Sequence, residues 1–599
     1  MRSTLASRLR PLLLTTTLAT LTACATGGPP LPEPPVLEGR APGVLPIAWN
    51  GELPEGIEGL LPATTVREGA DGTFGFRPCI LALTDPGAVL FDARSGEIVW
   101  RREDLRIRDE THVAVVPGLD IAMIEDGDVD LFFSLGTGEV LWSSEKLPWG
   151  RIAGFLPIPP APLLLVAGRD SAGRPMVGAV RLRDGATAWT AGWWADELET
   201  GRTNRVQAHL HLLPPLFLED SLVMLWGTKD GPTAVDPYTG ALRWTVPSLA
   251  DKDVPRLALT GRRAPWLAKG GVVYIPYEKR LAAVAAASGE VLWDVQLQDP
   301  AGRMEILDDR LIVQGWGAQK GSLELIEAES GASTWGGPTR GLDRPGAYVR
   351  LGTDRVFLAT KQKLTAVSLV DGTKSEIGAF DFEAGESPVL ARALGDRACF
   401  AAEQNVACVD PEGLPAYRRY YAEPDKNLLR GLLKLYSVVS LASAMYQTTS
   451  LAQTQMTYGS ASQLDVLYSG QHYDMMFDRV LDDLLFSQLL AAYGVSRLAV
   501  QVGATNYTQD RGVFLTKRKD ESGENRWTVV EIGLADGAEL GARPLDDKPD
   551  RLLADPASER ILVQKDRRLL ALEMRPVSAP GPVDSAGADG APSDSDSLP

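Results

Sequence analysis

Histidines and nucleophile motifs are the features from which a catalytic or metal site is recognised, and this chain offers few of them. Its 599 residues include four histidines, of which His112 and His472 are isolated. His209 and His211 alternate, so a β-strand would place both imidazoles on one face, a spacing that suits a metal ion or two partly exposed side chains. No G-x-S-x-G motif and no P-loop occurs in the sequence. The sequence therefore predicts no catalytic residue, no bound metal and no cofactor.

Two of the four cysteines have a geometric relation. If 397–402 and 405–409 form a hairpin with a two-residue turn, Cys399 and Cys408 lie opposite each other. An oxidising compartment would allow a disulfide there, and two buried thiols are the alternative. Cys79 would remain unpaired, and neither outcome indicates catalysis.

The remaining cysteine, Cys24, ends a targeting segment. Arg2, Arg8 and Arg10 precede a largely apolar stretch, Pro11–Leu21, that is far shorter than the ~20 residues of a membrane-spanning helix. The pattern resembles a bacterial lipoprotein signal in which the cysteine is lipidated; an ordinary signal peptide is the alternative. In that family Ala25, rather than Asp, after the cysteine implies the outer membrane.

Segments flanking the main body differ from it in composition. Residues 1–23 are expected to be the signal peptide, and the proline-rich residues 24–43 an extended tether from the lipid. Residues 576–599, rich in Ser, Asp, Gly, Ala and Pro, are expected to be disordered. The formal net charge of −18 makes nucleic acid an unlikely partner.

A repeated segment of 40–50 residues fills the middle of the chain. Each strong copy, such as Val89–Trp100 (VLFDARSGEIVW) or Leu131–Trp142 (LFFSLGTGEVLW), is a β-rich run, a turn ending in Gly and a short run closed by Trp. The glycine and tryptophan of the six strong copies are Gly96 and Trp100, Gly138 and Trp142, Gly185 and Trp189, Gly240 and Trp244, Gly289 and Trp293, and Gly331 and Trp335. Weaker copies place turn glycines at Gly372, Gly413 and Gly537 and lack the tryptophan.

This spacing suits a four-stranded antiparallel sheet. Each turn glycine would close a hairpin, and two further strand-like runs lie upstream of it, as at Tyr348–Leu351 and Arg355–Thr360. Such sheets repeated around a ring form a β-propeller, with the glycine at a rim turn and the tryptophan between neighbouring sheets. The last three strands lack a fourth, which Val44–Trp49 could supply, and the count suggests up to ten repeats.

The recurring Asp or Glu, Ser/Thr-Gly and closing Trp resemble the pyrroloquinoline-quinone-type propeller repeat. A lipidated acidic propeller of this type is similar to the propeller lipoproteins of the outer-membrane β-barrel assembly machinery. The resemblance covers about Leu45 to Met574 and implies eight blades, with the propeller at 44–423 and 498–575. Quinone-dependent dehydrogenases that share the repeat carry adjacent cysteines, and many carry C-x-x-C-H; this chain has neither.

Between residues 424 and 497 the strand pattern stops. Leu428, Leu432, Leu435 and Val439 follow helical spacing, and a second apolar stripe begins at Phe477. This insertion is expected to form two amphipathic helices, which either fold onto the rim of the propeller or bind a partner.

The sequence therefore predicts a non-enzymatic, lipid-anchored outer-membrane lipoprotein facing the periplasm. Its propeller would be a scaffold that binds a barrel-assembly complex or its clients, in contact with the membrane only through the lipid on Cys24. The alternatives are a periplasmic oxidoreductase dependent on quinone and calcium, and a propeller that binds a cell-envelope polymer.

Overall fold

A computed structural model describes most of the chain between residues 43 and 576. The described ranges are 43–68, 74–84, 87–105, 113–116, 120–126, 129–158, 163–172, 175–191, 216–218, 221–228, 231–249, 267–277, 279–316, 320–343, 347–360, 363–380, 382–388, 390–422, 500–502, 505–508, 510–520 and 522–576. All four histidines, Cys24, the two terminal segments and the insertion at 424–497 lie outside these residues.

The described residues form ten β-sheets, numbered here as blades 1 to 10. Blades 1 to 4 consist of the strands β3 (Ile57–Glu68), β4 (Phe74–Thr84), β5 (Gly87–Asp92) and β6 (Ile98–Arg102); β7 (Val113–Val116), β8 (Ile121–Asp126), β9 (Val129–Ser134) and β10 (Val140–Ser143); β11 (Trp149–Ile158), β12 (Leu163–Asp170), β13 (Pro175–Arg181) and β14 (Thr187–Ala191); and β15 (Leu216–Leu218), β16 (Ser221–Thr228), β17 (Gly231–Val235) and β18 (Leu242–Thr245).

Blades 5 to 8 repeat the same order. Their strands are β19 (Leu267–Lys269), β20 (Val272–Tyr277), β21 (Arg280–Ala285) and β22 (Val291–Gln296); β23 (Ala301–Leu307), β24 (Arg310–Trp316), β25 (Gly321–Glu327) and β26 (Thr339–Leu342); β27 (Ala347–Leu351), β28 (Arg355–Ala359), β29 (Leu364–Ser368) and β30 (Lys374–Gly378); and β31 (Leu390–Leu394), β32 (Arg397–Ala401), β33 (Asn405–Val409) and β34 (Pro415–Tyr420).

The last two blades include strands from the N-terminus. Blade 9 contains β35 (Val500–Val502), β36 (Thr505–Tyr507), β37 (Arg511–Lys519), β38 (Asn525–Gly533) and β39 (Glu539–Pro544), and β1 (Gly43–Val44) lies outside β39; blade 10 contains β40 (Arg551–Asp555), β41 (Arg560–Lys565), β42 (Arg568–Glu573) and β2 (Ile47–Glu52). Short 3-10 turns cover Ser144–Lys146, Pro247–Leu249 and Glu383–Gly385. Within the described residues, no helix is long and apolar enough to cross a membrane.

The all-β propeller prediction is confirmed, and the blade number follows the repeats rather than the eight blades of the resemblance. Eight of the nine turn glycines lie between the third and fourth strands of a blade; the ninth, Gly537, lies between β38 and β39 of blade 9, where β35 is an additional strand beside β36. In blade 10 the fourth strand is β2, which pairs antiparallel with β42 at Ile47–Leu572 and Trp49–Ala571. The N-terminal strand therefore supplies the fourth strand of the last blade, as the sequence predicts.

Contacts between blade 10 and blade 1 close the ring. The Trp49 indole N–H donates to the Ala93 carbonyl at 3.1 Å, and the Gln564 side-chain amide donates to the Ile57 carbonyl at 3.2 Å. Leu562 and Ala571 of blade 10 share a buried cluster with Ile80 of blade 1. Ten sheets in a closed ring lie beyond the usual four to eight propeller blades.

The alternation of antiparallel strands gives the ring two faces. The turns between strands 1 and 2 and between strands 3 and 4 meet on one side, termed the turn face; Ala328 N–H, for example, bonds the Asp309 carbonyl there. The turns between strands 2 and 3 and the links between blades meet on the opposite side, termed the connection face, where Tyr421 N–H bonds the Gln404 carbonyl. First strands of neighbouring blades contact each other and so lie innermost.

Candidate protein-interaction site

The connection face carries the longest links in the chain. The links between blades 3 and 4, blades 4 and 5, and blades 8 and 9 include residues 192–215, 250–266 and 423–499, respectively. Because each of these three links follows the fourth strand of a blade, all three depart from this face. Loops on a rigid scaffold are where binding residues usually occur, so the anchor of the longest link is the candidate site.

Tyr421 and Ala422 are the last described residues before that link, and blade 9 holds both. The Tyr421 hydroxyl donates to Glu539 Oε1 at 2.9 Å, and Arg518 donates to both Glu539 carboxylate oxygens at 2.9 and 2.5 Å. The Thr516 hydroxyl donates to the Ala422 carbonyl at 2.7 Å. The link therefore begins from a fixed position against β37 and β39.

Hydrogen bonds at this anchor favour the ionised forms of Glu539 and Arg518. Burial alone would raise the pKa of Glu539, but hydrogen bonds from Arg518 and Tyr421 outweigh it and lower the pKa of this carboxyl. Hydrogen bonding to Glu539 also raises the pKa of Arg518. Burial, and secondly the Glu539 charge, raise the pKa of Tyr421 well above its usual range. Tyr421 is therefore a neutral hydrogen-bond donor rather than a proton-transfer group at physiological pH.

A buried polar network lies beside the anchor, under the turn between β32 and β33. The Asn405 side chain donates to Glu386 Oε2 at 2.9 Å and to the Glu383 carbonyl at 3.1 Å, and it accepts from the Glu383 N–H at 3.0 Å. Glu386 Oε2 also accepts from the Gln404 N–H at 2.9 Å. Asn405 is fully buried, so this network fixes the turn relative to the link between blades 7 and 8.

Blade 9 is bonded to the same turn from the other side. The Tyr507 hydroxyl donates to the Ala402 carbonyl at 2.6 Å, and the Thr505 hydroxyl donates to the Glu403 carbonyl at 2.5 Å. Burial raises the pKa of Tyr507 well above its ordinary value, which keeps the phenol protonated. We call this set the blade 8–9 platform; it consists of Glu383, Glu386, Gln404, Asn405, Tyr421, Ala422, Thr505, Tyr507, Thr516, Arg518 and Glu539.

The polar groups of the platform are largely paired with one another. The Glu539 carboxylate accepts from Arg518, and the Glu386 carboxylate accepts from Asn405 and from a backbone N–H. Among the residues that the structure describes, no group of three or more His, Cys, Asp or Glu side chains could hold a metal ion.

The six repeat tryptophans lie between blades. Each indole N–H donates to a backbone carbonyl of the next blade, at 2.5 to 3.2 Å; the acceptors are Leu135 for Trp100, Leu182 for Trp142, Pro237 for Trp189, Ala286 for Trp244, Ala328 for Trp293 and Leu369 for Trp335. The same ring covers the turn glycine of that next blade, as Trp142 covers Gly185. We call this arrangement the interblade latch.

A β-bulge precedes five of the six latch tryptophans. In blade 1 the pairing passes from Leu90–Trp100 to Phe91–Ile98, which leaves Val99 as the extra residue. The same shift precedes Trp142, Trp189, Trp244 and Trp293. An extra residue bends the strand and redirects the following side chain.

The sequence repeat misses two latches, of which only the first has a recognisable sequence signal. Tyr417 follows Gly413 by four residues, the Gly-to-Trp spacing of the strong copies; its hydroxyl donates to the Leu534 carbonyl at 2.5 Å and its ring covers Gly537. Trp49 covers Gly96, but it comes from the N-terminal strand and has no turn glycine before it. Ile377 covers Gly413 in blade 8 without a hydrogen bond from its side chain.

The cysteine pair lies in the middle of blade 8. Cys399 on β32 and Cys408 on β33 are directly opposite each other, with Cα atoms 4.0 Å apart, and are joined by a disulfide. Both are buried; Cys79, in blade 1, is also buried, with its Sγ 3.8 Å from the Thr65 hydroxyl. The disulfide crosslinks two central strands beside Tyr417 and does not reach the surface.

Comparisons with known proteins identify the repeat. Residues 229–421 match the family model described as outer membrane protein assembly factor BamB. BamB of Vibrio cholerae serotype O1 is 31% identical over 94 residues, which are 16% of this chain and 23% of that protein. BamB of Yersinia pestis is 27% identical over 129 residues, 20% of this chain and 31% of that protein.

The repeats are PQQ-like and related to those of BamB. This chain spans less than a third of the length of either curated relative in the matched regions. The crystal structure of BamB from Moraxella catarrhalis aligns with 63% of this chain and all of its own, at 14% identity and a TM-score of 0.31.

Proposed function

We propose that this protein is a non-enzymatic scaffold of outer-membrane β-barrel assembly. The match of residues 229–421 to the BamB family model is the observation that carries the proposal. The blade 8–9 platform supports it, because its hydrogen-bonded polar groups hold the start of the longest link at a fixed place on the connection face.

We further propose how the molecule is held in the envelope. Residues 1–23 are removed as a signal peptide, the lipid on Cys24 anchors the protein in the outer membrane, and residues 24–43 form the tether. Residues 44–423 and 498–575 form the ring, and 576–599 a disordered tail. The position of both described chain ends supports an orientation with the turn face toward the membrane, because Gly43 and the residues after Glu573 lie on that face. The connection face is then free to meet a barrel-assembly complex in the periplasm.

The proposal assigns the partner contact to the insertion at 424–497 on the connection face. The test compares three full-length lipoproteins recovered by affinity purification from gently solubilised envelopes: the wild type, a variant with 424–497 replaced by a Gly/Ser linker, and a control with 192–215 replaced by a similar linker. The control alters another long link on the same face.

The expected result is that the wild type and the control both recover the barrel-assembly complex and that the 424–497 variant loses it. Recovery by all three would move the contact to the ring itself. If none recovers the complex, the scaffold proposal fails, and absorbance and dye reduction after reconstitution with quinone and calcium become the next measurements.

A further inference from the structure

Blade 9 has a gap in its latch that another part of the chain fills. Gly541 follows the turn glycine Gly537 by four residues, the position of tryptophan in the strong repeats, and the same bulge precedes it. A glycine cannot span the space between blades. Leu45 occupies that space instead: its side chain is fully buried, and an ideal Cβ on Gly541 would lie 2.3 Å from Leu45 Cδ2.

Leu45 reaches this position because β1 adds a sixth strand at the outer edge of blade 9. β1 pairs in parallel with the outer edge of β39, with Gly43 opposite Gly541 and Val44 opposite Ala542, and the Leu45 N–H donates to the Ala542 carbonyl at 3.1 Å. Every other outer strand in the described residues ends its sheet, so β39 alone among them has a neighbour on its outer side.

Recognition of β1 uses its backbone and one apolar side chain. Arg575 donates to the Val44 carbonyl at 2.8 Å, and Arg543 donates to the Leu45 carbonyl at 2.8 Å. Leu45 packs among Val513, Val529 and Leu572, whereas the Val44 side chain is 62% exposed. Addition of an extended segment to a sheet edge, with one side-chain pocket, is a recurrent mode of peptide binding.

We propose that the outer edge of β39 is a strand-acceptor site, occupied here by Gly43–Leu45 of the same chain. It would accept an extended segment of a partner protein that carries an uncharged apolar residue at the position of Leu45. The resident strand is only two residues long and has two residue pairs with β39 and one backbone bond from the Leu45 N–H, so little backbone pairing opposes its exchange. This inference is independent of the proposed role in barrel assembly.

The direct test uses a fluorescent peptide with the sequence of residues 41–48 and the full mature chain. Leu45→Asp should displace the resident strand from the space beside Gly541, because a buried unpaired carboxylate is costly. We expect the peptide to bind this variant at least ten-fold more tightly than the wild type, as measured by fluorescence anisotropy. A peptide with Asp in place of Leu should not bind.

A matched variant fills the same space with a side chain from β39. Gly541→Trp, combined with Leu45→Asp, restores the residue type of the strong repeats and should abolish peptide binding while the circular dichroism spectrum is retained. Binding of the Asp peptide as tightly as the Leu peptide, or persistence of binding in the double variant, would overturn the proposal.

Hydrogen exchange of the wild-type chain tests the inference without any variant. The Leu45 amide should exchange at least ten-fold faster than the β2 amides bonded to β42. Equal protection would mean that the resident strand is fixed and would refute exchange with a partner. Sedimentation supplies the last outcome: a wild-type dimer that Leu45→Asp abolishes would assign the strand to a second copy and overturn the partner assignment.

Discussion

At the scale of the residue, hydrogen bonds in the blade 8–9 platform stabilise the negative charge of Glu539. The Glu539 carboxylate accepts hydrogen bonds from Arg518 and Tyr421, and its pKa is lowered as a result. A carboxyl group whose pKa is lower in the folded protein contributes stability above its ordinary pKa of about 4.3 and loses it as pH falls toward the folded value.

Glu539→Gln should therefore destabilise the protein at pH 7 by about 1–3 kcal/mol, the usual worth of hydrogen bonds to a charged group. The difference from the wild type should shrink as the pH is lowered through the range around 4. Denaturant unfolding at a series of pH values measures both effects. Glu524→Gln is the control, because that carboxylate is 74% exposed and its ion pair with Arg526 is long, at 3.9 Å. An equal loss of stability in the control would contradict the argument.

At the scale of the element, the interblade latch explains why glycine recurs in the turns. Gly185 has a φ of +67°, and an ideal Cβ there would lie 2.6 Å from Trp142 Cδ2. Two requirements coincide at this residue, a left-handed backbone and room for an aromatic ring. Gly270 shares the left-handed conformation, with a φ of +56°, but has nothing within 4 Å of the same position.

These two glycines separate backbone strain from packing. Gly270→Ala should cost about 1–2 kcal/mol, the penalty of a left-handed conformation. Gly185→Ala should cost clearly more, because the methyl group also displaces Trp142 from the Leu182 carbonyl. Thermal unfolding followed by tryptophan fluorescence gives the comparison. Equal losses in the two variants would show that the latch contact contributes nothing to stability.

At the scale of the whole molecule, the N-terminus joins the last blades to the first. β1 adds to blade 9, β2 completes blade 10, and Trp49 forms the latch with blade 1. Near the same point, Arg511 donates to Glu531, a fully buried carboxylate that also accepts the Arg575 N–H at 3.0 Å. The two described chain ends are thus fastened together.

Removal of residues 1–52 should open the ring, whereas removal of residues 1–42 should leave it closed. Loss of the Trp49 side chain alone should cost about 3–5 kcal/mol. We expect the shorter chain to unfold at a lower temperature and to be cleaved several-fold faster by a protease within blades 1 and 10. Indistinguishable cleavage of the two truncations would show that the ring does not depend on β2.

The sequence alone determined the fold class, because turn glycines and alternating apolar strands are local signals that recur at a regular period. It also indicated the hairpin that sets Cys399 opposite Cys408. Only the tertiary structure decided the number of blades and the residues that close them. Leu45 replaces a missing tryptophan at Gly541, and Trp49 covers Gly96, through contacts that no periodic pattern records. Arg543 and Leu45, for example, are 498 residues apart in the chain and meet because the N-terminal strand β1 pairs with β39 of blade 9.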